Sequence, residues 1–85
     1  MFEKEKAEIM RKLARKNNFG ARYDRLEHFK RFPNLDKAIN ELVKIEWIIH
    51  HKKPNYKAIS LNPKYKTMII EFIEDKIPEV KGMIK

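Results

Sequence analysis

Trp47-Ile48-Ile49-His50-His51-Lys52-Lys53-Pro54-Asn55-Tyr56-Lys57-Ala58-Ile59-Ser60-Leu61 breaks the helical pattern of the chain on either side of it. Two runs suited to strands flank Lys53-Pro54-Asn55-Tyr56, where Pro54 fixes φ at one central turn position and Asn55 tolerates the next. The spacing predicts a tight β-hairpin with a basic tip, its returning strand carrying Ile59 and Leu61 on one face.

Helical patterns lie on both sides. Upstream, a helix is expected over 34–46: Asn34 suits the N-cap, Asp36 the first turn, and Leu35, Ala38, Ile39 and Leu42, with Val43 or Ile45, make an inner face. Asp36, Lys37, Asn40, Glu41 and Lys44 fill its outer face. Downstream, Asn62-Pro63 signals a helix start, a cap followed by Pro at the first helical position. Tyr65, Met68, Ile69, Phe72, Ile73 and Ile77 form the apolar stripe of that helix, Ile70 lies off it, and Pro78 ends it. Nearer the N-terminus, Ile9, Met10, Leu13 and Ala14 predict a helix over 3–17, broken by Asn17-Asn18-Phe19-Gly20. A shorter helix is expected at 22–30, on Tyr23 or Arg22, Leu26 and Phe29, before a turn at Pro33. The fold class is therefore mainly α with a small hairpin, in the order helix, helix, helix, hairpin, helix. A single domain over 1–78 is expected, with 79–85 as a tail, because 85 residues leave no room for a second core.

Composition narrows the function classes. With 42% hydrophobic and 11% aromatic residues, the chain can bury a core. It has no cysteine, which excludes disulfides and thiolate metal sites. No uninterrupted apolar run exceeds three residues, and the charged start Met1-Phe2-Glu3-Lys4 lacks an apolar signal region. No membrane partner and a cytoplasmic location are expected. Twenty Lys+Arg against 12 Asp+Glu give a net charge of +8, a field that favours polyanions. Its distribution says more than its total. Ile9 to Tyr23 holds Arg11, Lys12, Arg15, Lys16 and Arg22 without an acid; Trp47 to Ile70 holds Lys52, Lys53, Lys57, Lys64 and Lys66, again without one.

Asn34-Leu35-Asp36-Lys37-Ala38-Ile39-Asn40-Glu41-Leu42-Val43, followed by a hairpin ending in Ile59-Ser60-Leu61-Asn62-Pro63, resembles a winged-helix domain of the kind found in small prokaryotic and archaeal transcription regulators. The resemblance covers nearly the whole chain. It implies that the 34–46 helix enters the major groove of double-stranded DNA, with 22–30 crossing behind it and the basic hairpin reaching the neighbouring backbone or minor groove. Carried onto this sequence, Lys37, Asn40, Glu41 and Lys44 would face base edges, while Lys52, Lys53, Lys57, Arg22 and Arg31 would contact phosphates. The implied role is transcription regulation or chromatin association, with a homodimer through the last helix presenting two reading helices. Where the family often places a Gly between reading helix and hairpin, this chain has Lys44-Ile45-Glu46-Trp47, so a turn of different shape is expected. Docking of a protein partner on the charge-mixed 34–46 face, and RNA binding, stay open as alternatives.

Other chemistry finds little footing. His50 and His51 are neighbours in a strand, point to opposite faces and so cannot chelate one ion. No metal, cofactor or small-molecule ligand is expected. There is no Gly-rich phosphate loop, and only Ser60 and Thr67 carry aliphatic hydroxyls, neither in a nucleophile motif, so the chain is not expected to be an enzyme. Trp47 is expected to close the core, whereas Tyr56, beside the turn, is as well suited to stacking on bases.

Overall fold

The computed structural model describes residues 2–82 and forms the hairpin where the turn residues place it. Strands β2 (Ile48–Lys52) and β3 (Lys57–Leu61) run antiparallel, with Ile48 opposite Leu61, His50 opposite Ile59 and Lys52 opposite Lys57. Lys53 N–H donates to the Tyr56 carbonyl at 2.9 Å, closing the pairing around Pro54-Asn55. A third, two-residue strand, β1 (Asp24–Arg25), pairs with the other edge of β3, giving the sheet order β1-β3-β2. Helices α1 (Glu3–Arg15), α2 (Leu35–Lys44) and α3 (Lys66–Lys76) complete a fold of three α-helices and a small three-stranded antiparallel sheet.

The second helix expected at 22–30 is not there. In its place are β1 and a single 3-10 turn, Leu26–Phe29. A nine-residue helix is marginal without strong tertiary support, and pairing to β3 satisfies the backbone of Asp24 and Arg25 instead. Phe29 is fully buried, stacked on Phe32 with ring centroids 6.4 Å apart. Tyr23, expected on an inner stripe, lies instead on the far side of the sheet.

The core lies between the inner face of the sheet and the three helices. Alternation along the strands puts Ile48, Ile59 and Leu61 on that face, where they meet Ile9, Met10 and Leu13 of α1, Ala38, Ile39 and Leu42 of α2, Ile69 and Ile73 of α3, and Ile77 just after it. Burying each large aliphatic side chain contributes roughly 1.5–3 kcal/mol. Trp47 closes one side, edge-on to Phe72 at 5.6 Å. Met68, expected in the α3 stripe, is 52% exposed: the core spans one narrow face of α3, and Ile69, Ile73 and Ile77 fill it. Ile70 is half-buried. The tail expected at 79–85 begins within the core, where Val80 is buried after a 3-10 turn at Pro78–Val80; residues 83–85 lie outside those described.

Helix ends explain the geometry of the joints. Asn34 precedes α2, but its side chain does not cap; its N–H and Nδ2 donate to the Glu5 carboxylate of α1 at 2.8 and 3.4 Å. Asn62 does cap as expected, accepting from Lys64 N–H at 3.1 Å, and its Nδ2 donates to the Glu46 carbonyl at 2.8 Å. After α2, Glu46 N–H donates to Val43 and Trp47 N–H to Leu42, both at 3.0 Å, with Glu46 at φ 67°. This is the left-handed helix stop normally made by glycine. The joint between α2 and the hairpin therefore keeps the shape a glycine would give it, contrary to the expectation from Lys44-Ile45-Glu46-Trp47.

Candidate nucleic-acid interface

The outer face of α2 and the inner face of the hairpin tip converge on one groove. Asp36, Lys37, Asn40 and Lys44 are exposed on α2. Lys57 shares a recess of about 290 Å³ with Leu26, Asp36, Ile39, Asn40 and His50. A neighbouring recess of about 370 Å³ continues to the hairpin tip, between Leu26, Lys30, Leu35 and Asp36 on one side and Asn55, Tyr56 and Lys57 on the other. Register fixes the lysines at its rim: Lys52 sits directly opposite Lys57, both exposed. Like charges facing each other across strands repel, and an anion between them relieves that repulsion.

The acids near this groove are partly neutralised from within. Glu41, on the outer face of α2, pairs with Lys6 of α1, which is only 8% exposed. The hydrogen bond from Lys6, then its charge, hold the Glu41 carboxyl below the ordinary glutamate value despite desolvation. Glu5 is engaged by Asn34. Asp36 and Glu27 stay exposed in the groove, Glu27 paired with Arg25 at 3.1 Å.

His50 points into the groove side of the sheet, and among the described residues nothing pairs with its buried Nε2. Burial first, then the charges of Lys52, Lys57 and His51, push its pKa below the ordinary histidine value. His51 faces the other way, its Nε2 3.0 Å from Ser60 Oγ, which donates to the Gly20 carbonyl at 2.8 Å. The adjacent histidines thus lie on opposite faces.

The remaining residues of the expected site disperse. Lys53 turns to the outer sheet face, its ammonium 5.1 Å from the Tyr23 ring centre. Arg22 is exposed ahead of β1. Arg31 stacks over Phe32 at 4.9 Å and lines a separate basic recess of about 380 Å³ with Glu8, Arg11, Lys12, Arg15 and Lys16. The two acid-free windows accordingly build different surfaces, one along α1 and one around the hairpin. In the first, Lys16 is bound to Asp24 at 3.0 Å and Lys12 to the His28 carbonyl.

Two contributors escaped the sequence. Asp24 is buried beneath β3 and holds Lys16, His28 at 2.6 Å and Arg25 N–H at 2.9 Å; burial raises its pKa, but these hydrogen bonds outweigh it and leave the carboxyl below the ordinary value. Arg25 lies over the Tyr56 ring at 4.3 Å. A two-residue strand is too short to display period-two alternation, which is why neither was singled out.

No family model, no curated protein and no solved structure matches the chain.

Proposed function

We propose that this chain is a winged-helix domain that binds double-stranded DNA, with α2 in the major groove and the β2–β3 hairpin as the wing, acting in transcription regulation or chromatin association. The element order, the β1-β3-β2 sheet and the left-handed stop after α2 support the fold reading. One observation carries the function: Lys52 and Lys57 face each other across the hairpin, at the rim of the groove that Lys57 shares with Asn40 of α2. Lys37, Asn40 and Lys44 then reach base edges, and Lys52 and Lys57 grip phosphates on either side. Internal pairing of Glu41 removes one obstacle to a polyanion on this face. A homodimer through α3, whose Met68 is 52% exposed, belongs to the same reading, as does a cytoplasmic location.

The test is a titration of blunt duplex DNA at several salt concentrations. Affinity should fall steeply with salt, with a log–log slope of roughly −0.9 per phosphate contact, and Lys52→Gln or Lys57→Gln should each remove about one unit of slope. Absence of binding at low salt overturns the reading. Asp36, exposed in the groove, favours a second reading in which a basic protein surface docks there; a nuclease-insensitive partner lost on Asp36→Asn would support that instead.

A further inference from the structure

The sheet has a second face, which the helices do not cover. Alternation assigns Ile49, His51 and Lys53 of the β2 side, Tyr56, Ala58 and Ser60 of the β3 side, and Tyr23 and Arg25 around β1 to this outer face. Register confirms the grouping, since Arg25, Ala58 and His51 lie side by side across the three strands. The middle strand contributes only small side chains here, Ala58 and Ser60, both fully buried. Above this floor the rings gather: Tyr23 and His51 at 5.0 Å between centres, Tyr23 and Tyr56 at 6.3 Å, with the two phenol oxygens 3.0 Å apart. Each tyrosine ring is covered by an exposed cation, Lys53 over Tyr23 at 5.1 Å and Arg25 over Tyr56 at 4.3 Å. None of the residues alternation assigns to this face is acidic; Glu27 reaches it through a pair with the Arg25 guanidinium at 3.1 Å.

We infer that this outer face is a stacking site for unpaired nucleotides, separate from the groove between α2 and the hairpin. The occupant follows from the chemistry. Aromatic rings fixed on a sheet beside mobile cations suit a base on the ring and its phosphate on the cation. Lys53 rests on its ring through an exposed cation–π contact, and Arg25 through such a contact beside its exposed ion pair with Glu27; exposed cation–π contacts are weaker than base–aromatic stacking. A base displaces the Lys53 or Arg25 end group from the ring, and the freed charge swings a short distance to the flanking phosphate. The Tyr23–Tyr56 hydrogen bond keeps both rings in place meanwhile. Because the hairpin carries Lys52 and Lys57 on one face and Tyr56 with Lys53 on the other, a duplex in the groove and an unpaired extension behind it can be held together. The inference builds on the nucleic-acid reading above, and its test separates the two.

Fluorescence anisotropy would compare three labelled DNAs: a blunt duplex, the same duplex with a short unpaired extension, and that duplex with an abasic extension of equal charge. The base-bearing extension should bind about 5- to 150-fold tighter than the abasic one, the range expected for stacking one base. Tyr23→Ala, on the outer face and away from the groove, should remove most of that difference without changing affinity for the blunt duplex, while Tyr23→Phe, which keeps the ring and loses the hydroxyl, should retain it. Equal binding of base-bearing and abasic extensions by the unaltered protein overturns the inference, whatever the variants do. Loss of blunt-duplex binding with a persisting preference for bases would overturn the groove reading and leave this one standing.

Discussion

Glu46→Gly should stabilise the protein. Glu46 sits at φ 67°, in the left-handed region, where a side chain crowds the following carbonyl at a cost of roughly 1–2 kcal/mol. The position is set by two backbone hydrogen bonds of 3.0 Å that end α2 and by Asn62, whose Nδ2 holds the Glu46 carbonyl at 2.8 Å. None of these needs the Glu46 side chain, which is exposed. Glycine removes the crowding but loosens the unfolded chain by about 0.4–1 kcal/mol. The net gain lies between about 0 and 1.6 kcal/mol, and its centre of about 0.8 kcal/mol corresponds to roughly 3–6 °C in Tm for a domain of this size. Two controls isolate the cause. Glu46→Ala should give no comparable gain, because alanine keeps the β-carbon. Asn17→Gly, at the equivalent left-handed stop after α1 with φ 56°, should give less, because asparagine already tolerates that conformation. Thermal and urea denaturation followed by circular dichroism measure all three. An unchanged or lowered midpoint for Glu46→Gly, or an equal rise for Glu46→Ala, would refute the argument from backbone strain.

Three further outcomes are expected. His50 has a folded pKa below its unfolded value of about 6.5, so as pH falls through that value the unfolded chain takes up a proton the folded state resists; stability should decline on acidification from neutral pH, and His50→Phe should flatten that part of a Tm-versus-pH curve. Asp24 behaves as a depressed carboxylate: its contribution is complete above the unfolded value near 4 and is lost as pH drops through the folded one, so Asp24→Asn should cost about 1–2 kcal/mol at neutral pH in urea titrations and much less in acid. Glu41→Gln deprives the nearly buried Lys6 of its closer carboxylate, leaving Glu3 at 3.7 Å, and should lower Tm while leaving base preference in a duplex-binding selection unchanged; a changed preference with an unchanged Tm would place Glu41 against bases instead.

Local signals in the chain were strong where one residue type has one conformational consequence. Pro54-Asn55 specified the hairpin turn, Asn62-Pro63 the start of the last helical segment, and the apolar spacing of Ile9, Met10 and Leu13 the first helix. Ala38, Ile39 and Leu42 were likewise legible as a buried face. The charge windows were legible as surface but not as a shared surface. Their residues end on the α1 recess, in the groove and behind the sheet, because the fold and not the spacing decides which lysines meet.

Three helices and the hairpin were readable in the chain because their own residues satisfy their backbone; the helices expected over 3–17, over 34–46 and from Asn62-Pro63 form at Glu3–Arg15, Leu35–Lys44 and Lys66–Lys76. How other segments borrow partners from elsewhere was settled by the tertiary fold. Tyr23–Phe29 has helical composition, yet β3 offers an open edge, Asp24 finds Lys16 and His28, and a short strand with a 3-10 turn results. Asn34 loses its capping role to Glu5, and Glu41 is taken up by Lys6 of α1. Each outcome depends on a contact more than a helical turn away in sequence, and short-range pattern carries no record of such contacts. The aromatic face of the sheet arises in the same way, from Tyr23 and Tyr56, 33 residues apart, joined through their hydroxyls.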